Sequence, residues 1–236
     1  MYIELIIVIV TGAFIVLFVS TTFLEKQYIQ DFAPAISDRS SSNSSYFIAM
    51  NNEAMKLGFT PAGLFDQKRK SRIYQAHLAL WISEDRQTLL RIAGGKTAGM
   101  PIKRSALTSF VEPNLIVETW DYFGMVDISG LTDRKIVLNA HLKELLAHHQ
   151  NRVSAYSGTK QGFSTAQSLV AYEALMAMKT TAMERRGLAK FVDREKGVWR
   201  HTLKGAWVSY AKGFRRQLAE GKAQQDRINL KRPGAQ

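Results

Sequence analysis

Three aspartates recur at six-residue intervals in a glycine-containing stretch of the chain: Asp121, Asp127 and Asp133. If this stretch folds back on itself, paired carboxylates there could do acid and base chemistry, with His141 as a neighbouring proton carrier. Aspartates in such a segment also have a simpler explanation, because their carboxylates commonly hydrogen-bond the backbone of a turn. Asp121, Asp127 and His141 therefore form one candidate catalytic set, with a turn as its alternative.

A second candidate is a serine nucleophile activated by a lysine. Ser157 and Lys160 fit the pattern S-x-x-K, in which the lysine could help the serine hydroxyl attack an acyl group. Ser209 and Lys212 fit the same pattern, and the companion motifs S-D-N and K-T-G are absent. The pattern alone therefore discriminates poorly between an active site and a chance match.

A third set of residues has spacing that could suit a metal ion. His141, Glu144 and His148 lie at positions i, i+3 and i+7 of a predicted helix, close enough to share one face. The zinc signature H-E-x-x-H is absent, and so is any cysteine. We therefore expect these three residues to form an exposed polar helix face, and we expect no metal.

A nucleotide site is not supported by the one glycine-rich segment that resembles a phosphate-binding loop. Gly95-Lys96-Thr97 resembles the end of such a loop, but Leu90 stands where that motif needs a glycine. We expect no cofactor.

Positive charge is concentrated at the end of the chain. The net charge is +12, and the residues from Arg185 onward contain 14 Lys and Arg against 4 Asp and Glu, a net of +10. Such a region favours anionic partners, such as an acidic protein or an anionic lipid, although a plain solvated face would look the same. Nucleic acid is not expected, because no recognised motif accompanies the charge. The predicted binding residues are Arg185, Arg186, Lys204, Lys212, Arg215 and Arg216.

The apolar stretch 5–24 has the length of a membrane-spanning helix. It runs for 20 residues without a charge, and a helix of that length spans roughly 30 Å. We predict a single-pass transmembrane anchor over 1–26 and a serine-rich tether over 27–45. The few Lys and Arg residues near the span follow it, which places the C-terminal domain in the cytoplasm.

The remaining chain predicts an α+β domain over 46–228 and a disordered tail over 229–236. Runs of β-branched and aromatic residues predict a small antiparallel sheet from strands at 73–82, 88–93, 105–111 and 114–122. Helical spacing of apolar residues predicts several helices, at 47–57, 139–153, 165–186 and 207–225, with a further short strand at 198–203. The predicted fold class is thus an N-terminal transmembrane helix followed by this α+β domain.

These features favour a binding role over catalysis. The absence of cysteine excludes disulfide scaffolds, thiolate metal sites and cysteine nucleophiles, and the 46% hydrophobic content excludes a wholly disordered chain. We expect a membrane-anchored accessory or scaffold subunit that binds a larger membrane assembly or an anionic surface through its basic C-terminal region. The alternative is a membrane-attached hydrolase with an Asp/His or a Ser/Lys site.

Overall fold

The computed structural model describes most of the chain between residues 26 and 208. The described residues are Glu4, Gly12, 26–29, 31–35, 45–68, 74–97, 100–122, 128, 130–138 and 140–208. The chain divides into two compact units. The smaller unit takes in 1–28, 123–126 and 180–236, and the larger unit takes in 29–122 and 127–179.

The larger unit is built on a seven-stranded sheet whose strands follow one another in chain order. Neighbouring strands are antiparallel except the last pair, which is parallel. The strands are β2 (Phe32–Pro34), β3 (Thr60–Gln67), β4 (Tyr74–Ile82), β5 (Leu89–Thr97), β6 (Met100–Val111), β7 (Leu115–Trp120) and β8 (Thr132–Ile136).

Helices cover both faces of this sheet. Helix α1 (Ser45–Lys56) and helix α2 (Leu142–Val153) pack on one face, where Trp81, Leu90 and Leu107 form the core with them. Helix α3 (Ser168–Arg185), preceded by a 3₁₀ turn at Thr165–Gln167, packs on the other face. Burial on both sides explains why the second half of β4, from Leu78 to Ile82, is an unbroken apolar run rather than an alternating pattern.

Glycine ends the first helix, as its position in the sequence suggests. Gly58 has φ +80, a left-handed conformation that side chains disfavour, and its N–H donates to the carbonyl of Met55. Phe59 then donates to the carbonyl of Ala54 and is buried in the core. The chain turns there directly into strand β3.

The smaller unit contains a three-stranded antiparallel sheet. Its order is β1 (Gln27–Tyr28), β10 (Val198–His201) and β9 (Ala189–Asp193), and the register shifts between Val198 and Trp199. Trp199 and His201 are buried, whereas Arg200 between them is exposed. Helix α3 contributes its residues from Thr180 onward to this unit.

The predicted fold class is wrong in two respects, of which the first is the sheet. The small antiparallel meander is in fact a seven-stranded mixed sheet. Strand β3 is not among the predicted strands, because its first residues include Pro61 and Gly63, which are more typical of turns. Among the described residues, β2 pairs with Phe65–Gln67 and does not extend to Pro61, so the missing N–H of this proline leaves no ladder hydrogen bond unmade on that side. Strand β8 is not among the predicted strands either. It pairs in parallel with β7, and such a pairing is determined by tertiary contacts rather than by a local turn signal.

The second correction concerns the membrane. No helix in the described part of the chain is both long enough and apolar enough to cross a bilayer. This finding contradicts the predicted single-pass anchor and the predicted membrane localisation, and neither is carried further. Of the stretch 5–24, only Gly12 lies within the described residues. The predicted tail 229–236 and most of the predicted helix 207–225 lie outside them as well.

Gly205→Ala tests the close packing inside the smaller unit. A methyl group on Gly205 would overlap the carbonyl oxygen of Leu188, which also accepts the N–H of Thr202 at 3.1 Å. We expect the free energy of unfolding to fall by about 1–3 kcal/mol in urea denaturation followed by tryptophan fluorescence. Gly162→Ala is the control, because nothing lies within 4 Å of the added carbon there. Equal effects of the two variants would contradict the close contact.

Candidate functional site

The most unusual chemistry of the larger unit is a carboxylate buried in its sheet. Glu118 lies in β7 and is only 2% exposed. Arg134 in the adjacent strand β8 donates to Oε2 through Nη2 at 2.7 Å and through Nε at 3.1 Å. Lys179 of helix α3 donates to the other oxygen. Two cations from two different elements therefore hold one buried anion.

These contacts determine the charge states of the three groups. Burial alone would raise the pKa of Glu118, but Lys179 and Arg134 outweigh it and lower that pKa to about 2. Burial lowers the pKa of Lys179 to about 8, against the opposing attraction of Glu118. Glu118 is therefore ionised at neutral pH, with its two oxygens occupied, and is poorly suited to act as a general base.

Aromatic rings and a further cation surround this carboxylate. The Arg91 guanidinium carbon lies 5.5 to 5.7 Å from the ring centres of Trp120, Tyr122 and Tyr172, and Arg91 donates to both tyrosine hydroxyls. The Arg134 guanidinium carbon lies 3.7 Å from the Trp120 ring centre. We call this set the charged cage; its members are Arg91, Glu118, Trp120, Tyr122, Arg134, Tyr172 and Lys179.

The charged cage has too little free space for a substrate. The cavity between Arg91, Glu118, Tyr172 and Lys179 measures about 10 Å³, which is at the lower limit for one water molecule. Tyr172 and Lys179 belong to helix α3, whereas the other members belong to the sheet or directly follow it. The arrangement therefore attaches α3 to the sheet through cation–π contacts and charged hydrogen bonds.

A second buried polar cluster lies on the opposite face of the sheet. His149 of helix α2 is 0% exposed, and its Nε2 and Nδ1 lie 3.0 Å from Ser109 Oγ and 3.1 Å from Thr119 Oγ1. Burial, assisted by the Arg152 guanidinium, lowers the pKa of His149 to about 3. The imidazole is therefore neutral at physiological pH, with a partner for each ring nitrogen. The predicted candidates His141, Glu144 and His148 do not include this buried histidine, which is adjacent to His148 in the sequence.

The predicted catalytic carboxylates are not brought together with His141. Asp121 accepts the Ser105 N–H at 2.6 Å and the Tyr46 hydroxyl at 3.4 Å, and its burial raises its pKa. His141 is exposed at the residue before helix α2, and within the described residues no hydrogen bond joins it to Asp121. Asp127 lies outside the described residues. Asp121 thus accepts hydrogen bonds from nearby groups at the end of the β6–β7 pairing.

Neighbouring acidic residues also point away from one another. Glu118 and Asp133 pair with Arg134 and Val117 respectively across the β7–β8 ladder, which places their side chains on opposite faces of the sheet. Asp133 is bound instead by Arg152 at 2.7 Å and by the Tyr156 hydroxyl at 2.8 Å. The carboxylate cluster expected from the sequence is therefore divided between the two faces.

Ser157 and Lys160 do not form the contact that a nucleophilic dyad needs. The Lys160 ammonium donates to the carbonyl of Tyr156 at 2.9 Å, and Ser157 is exposed. The lysine is thus occupied in a local turn after helix α2.

The candidate metal ligands form one weak pair. His148 Nε2 lies 3.9 Å from Glu144 Oε1, and both side chains are substantially exposed. Among the residues that the structure describes, no group of three His, Cys, Asp or Glu side chains could hold a metal ion.

A shallow cavity lies beside helix α3 on the larger unit. It measures about 300 Å³ and is bordered mainly by apolar side chains, with Gln161, Ser164 and Gln167 as its polar border. Its apolar border includes Phe110, Phe163, Val170, Leu175 and Met178. A few polar groups around an apolar floor are usual in small-molecule sites, but no charged side chain of the described residues lines this one.

The predicted basic residues lie in the smaller unit where the structure describes them. Arg185 and Arg186 are exposed at the end of α3, and Lys204 Nζ lies 3.4 Å from the Arg186 carbonyl oxygen. Lys212, Arg215 and Arg216 lie outside the described residues. Two of the exposed cations of this unit, Arg194 and Lys196, form ion pairs with Glu184 and Asp193.

Two further exposed cations of the smaller unit are not among the predicted binding residues. Lys190 in β9 and Arg200 in β10 are directly opposite each other and both exposed. Within the described part of the chain, neither forms an ion pair. The signal that could have revealed them is that each cation stands between two ring-bearing or apolar residues of a strand, in A-K-F and W-R-H, because successive side chains of a strand point to opposite faces. We call Arg185, Arg186, Lys190, Arg200 and Lys204 the basic surface.

Glu118→Gln tests the dependence of the charged cage on its carboxylate. The variant leaves Arg134 and Lys179 buried without a counter-charge, so we expect the free energy of unfolding to fall by about 3–5 kcal/mol in urea denaturation. Lys179→Met should cost less, because it leaves Glu118 paired with Arg134. Glu144→Gln, at an exposed position, is the control and should change stability by less than about 0.5 kcal/mol. A Glu118→Gln effect as small as the control's would show that the cage is not needed for stability.

His149→Gln tests the neutral buried imidazole. The folded protein keeps His149 neutral, whereas the unfolded chain takes up a proton below about pH 6.5, so this contribution to stability is present above pH 6.5 and lost as the pH falls toward 3. The loss approaches about 1.4 kcal/mol per pH unit. Between about pH 6.5 and 5, where Glu118 stays ionised in both states, unfolding free energies of His149→Gln should fall less steeply than those of the native protein. His148→Gln is the control and should keep the native slope; if His149→Gln also keeps it, the imidazole is not buried in its neutral form.

Comparison with protein-family models, with curated proteins and with solved structures finds no match to this chain. No relative therefore assigns a role to the charged cage, to the cavity beside α3 or to the basic surface.

Proposed function

We propose that the protein is a binding or accessory component that engages an anionic partner through the basic surface of its smaller unit. The observation that carries the proposal is the pair Lys190 and Arg200. Like charges directly opposite each other in a sheet are destabilising, and these two have no described carboxylate to offset their repulsion. An anion bound between them would attract both cations and thereby offset their mutual repulsion.

The charge of the whole region supports the same role. From 185 to 208 the sequence holds seven Lys and Arg against two Asp and Glu, and the excess continues to the end of the chain. Exposed charges of one sign attract an oppositely charged partner over roughly 10 Å at moderate salt, which raises its rate of association. Binding should therefore weaken as salt is added.

The alternative hydrolase gains little support from the geometry. Asp121, His141, Ser157 and Lys160 each have local surroundings of their own, and the described contacts join none of them to another. A nucleophile, a base and a group that stabilises developing charge would have to converge within about 3 Å of a common point. The binding role is accordingly the one that we put forward.

Lys190→Glu tests the proposal while separating binding from folding. The new carboxylate would face Arg200, so we expect the folded protein to be more stable by about 0.2–1 kcal/mol. Binding of poly-L-glutamate at low salt, measured by titration calorimetry, should nevertheless weaken at least about fivefold, because one attractive charge is lost and one repulsive charge is gained.

Lys135→Glu gives the matched control. It makes the same change of net charge at an exposed lysine of the larger unit, and it should leave the affinity for poly-L-glutamate nearly unchanged. Equal weakening by Lys135→Glu and Lys190→Glu would mean that overall charge, and not the basic surface, attracts the polyanion. Absence of any salt-dependent binding by the native protein would refute the proposed function.

A further inference from the structure

Two large apolar side chains are exposed next to Lys204 in the smaller unit. A helix begins at Leu203, and Leu203 and Trp207 are 75% and 64% exposed. Residues four apart on a helix lie on the same side, so these two form one apolar stripe. Ala206 between them is buried, which directs the stripe away from the interior of the unit.

Isolated apolar side chains are common on protein surfaces, but a leucine and a tryptophan paired along one helix are less easily explained as chance exposure. Tryptophan and arginine are the residue types that contribute most at the centres of protein–protein interfaces. Surfaces that bind nucleic acid are more polar, and an aliphatic side chain such as Leu203 has no partner in a phosphate backbone. The composition therefore favours a polypeptide partner.

We propose that the basic surface and the Leu203–Trp207 stripe together bind an acidic polypeptide segment that also carries large apolar side chains. This inference rests on the proposed function and specifies its partner. Carboxylates of the segment would pair with Lys190, Arg200 and Lys204, and its apolar side chains would cover Leu203 and Trp207. The positive charge of the basic surface calls for acidic side chains in the partner. The exposed Leu203–Trp207 stripe calls for apolar side chains in the same segment.

The test compares three probes with the full chain. They are poly-L-glutamate, a random copolymer of glutamate and tyrosine, and single-stranded oligothymidylate. Trp207 is a convenient reporter, because Trp81, Trp120 and Trp199 are buried and should respond little to a surface contact. The copolymer should bind about tenfold more tightly than poly-L-glutamate and shift the tryptophan emission to shorter wavelength, as expected for partial burial of a large apolar side chain.

Leu203→Ser should remove the advantage of the copolymer while leaving the affinity for poly-L-glutamate unchanged. Val170→Ser is the control, since Val170 is also largely exposed, at 65%, but lies in the larger unit. Equal affinity for the copolymer and poly-L-glutamate, or tightest binding to oligothymidylate, would overturn the inference and leave the proposed function standing. If none of the three polyanions binds in a salt-dependent way, the proposed function itself fails.

Discussion

Glu118 can remain ionised inside the larger unit only because cations reach it from two other elements. Arg134 approaches from strand β8 and Lys179 from helix α3, so the two contacts require β8 beside β7 and α3 on that face of the sheet. Burying an ionised carboxylate without such partners would cost several kcal/mol of folding free energy. Removing Glu118 would in turn leave Arg134 and Lys179 buried without a counter-charge. Trp120 and Tyr122, stacked at 4.7 Å, help to keep water away from these charges. Much of the arrangement of the larger unit follows from this single requirement.

Strand β7, which carries Glu118, is polar on its other face as well. Helix α2 provides the hydrogen-bond partners there. Thr119 meets His149 and Arg152 of helix α2, while Arg152 also reaches Asp133 of β8 and the carbonyl of Glu118. Strand β7 thus binds α3 through one face and α2 through the other, with β8 involved in both. Buried polar groups of this kind specify one arrangement, because a shift of register by one residue would leave every one of them unsatisfied.

The polar chemistry of the two units is used differently. In the larger unit the buried charged and polar groups are directed at one another, and the free space between them is at the lower limit for one water molecule. In the smaller unit Lys190 and Arg200 are exposed and repel each other, and an apolar stripe is exposed close to Lys204. The first pattern is that of groups that hold a fold together, and the second is that of a surface that is completed by another molecule. This contrast is the physical basis for proposing a binding role.

Local sequence patterns determined the existence of many elements, and tertiary structure decided how they combine. Apolar spacing and capping residues placed helices near Ser45–Lys56, Leu142–Val153 and Ser168–Arg185, because helix periodicity and glycine stops act within a few residues. Strand β3 is absent from the predicted strands because Pro61 and Gly63 are typical of turns. Strand β8 is absent because a strand that pairs in parallel with β7 joins the sheet through a crossover, which leaves no local signal in the sequence. The expected transmembrane anchor was read from length and hydropathy alone and is contradicted. For the site, the regional excess of positive charge is a property of the sequence, since charge simply adds along the chain. That Glu118 meets Lys179, that His149 is the buried histidine, and that Lys190 faces Arg200 depend on residues brought together across strands and helices, which spacing along one chain does not encode.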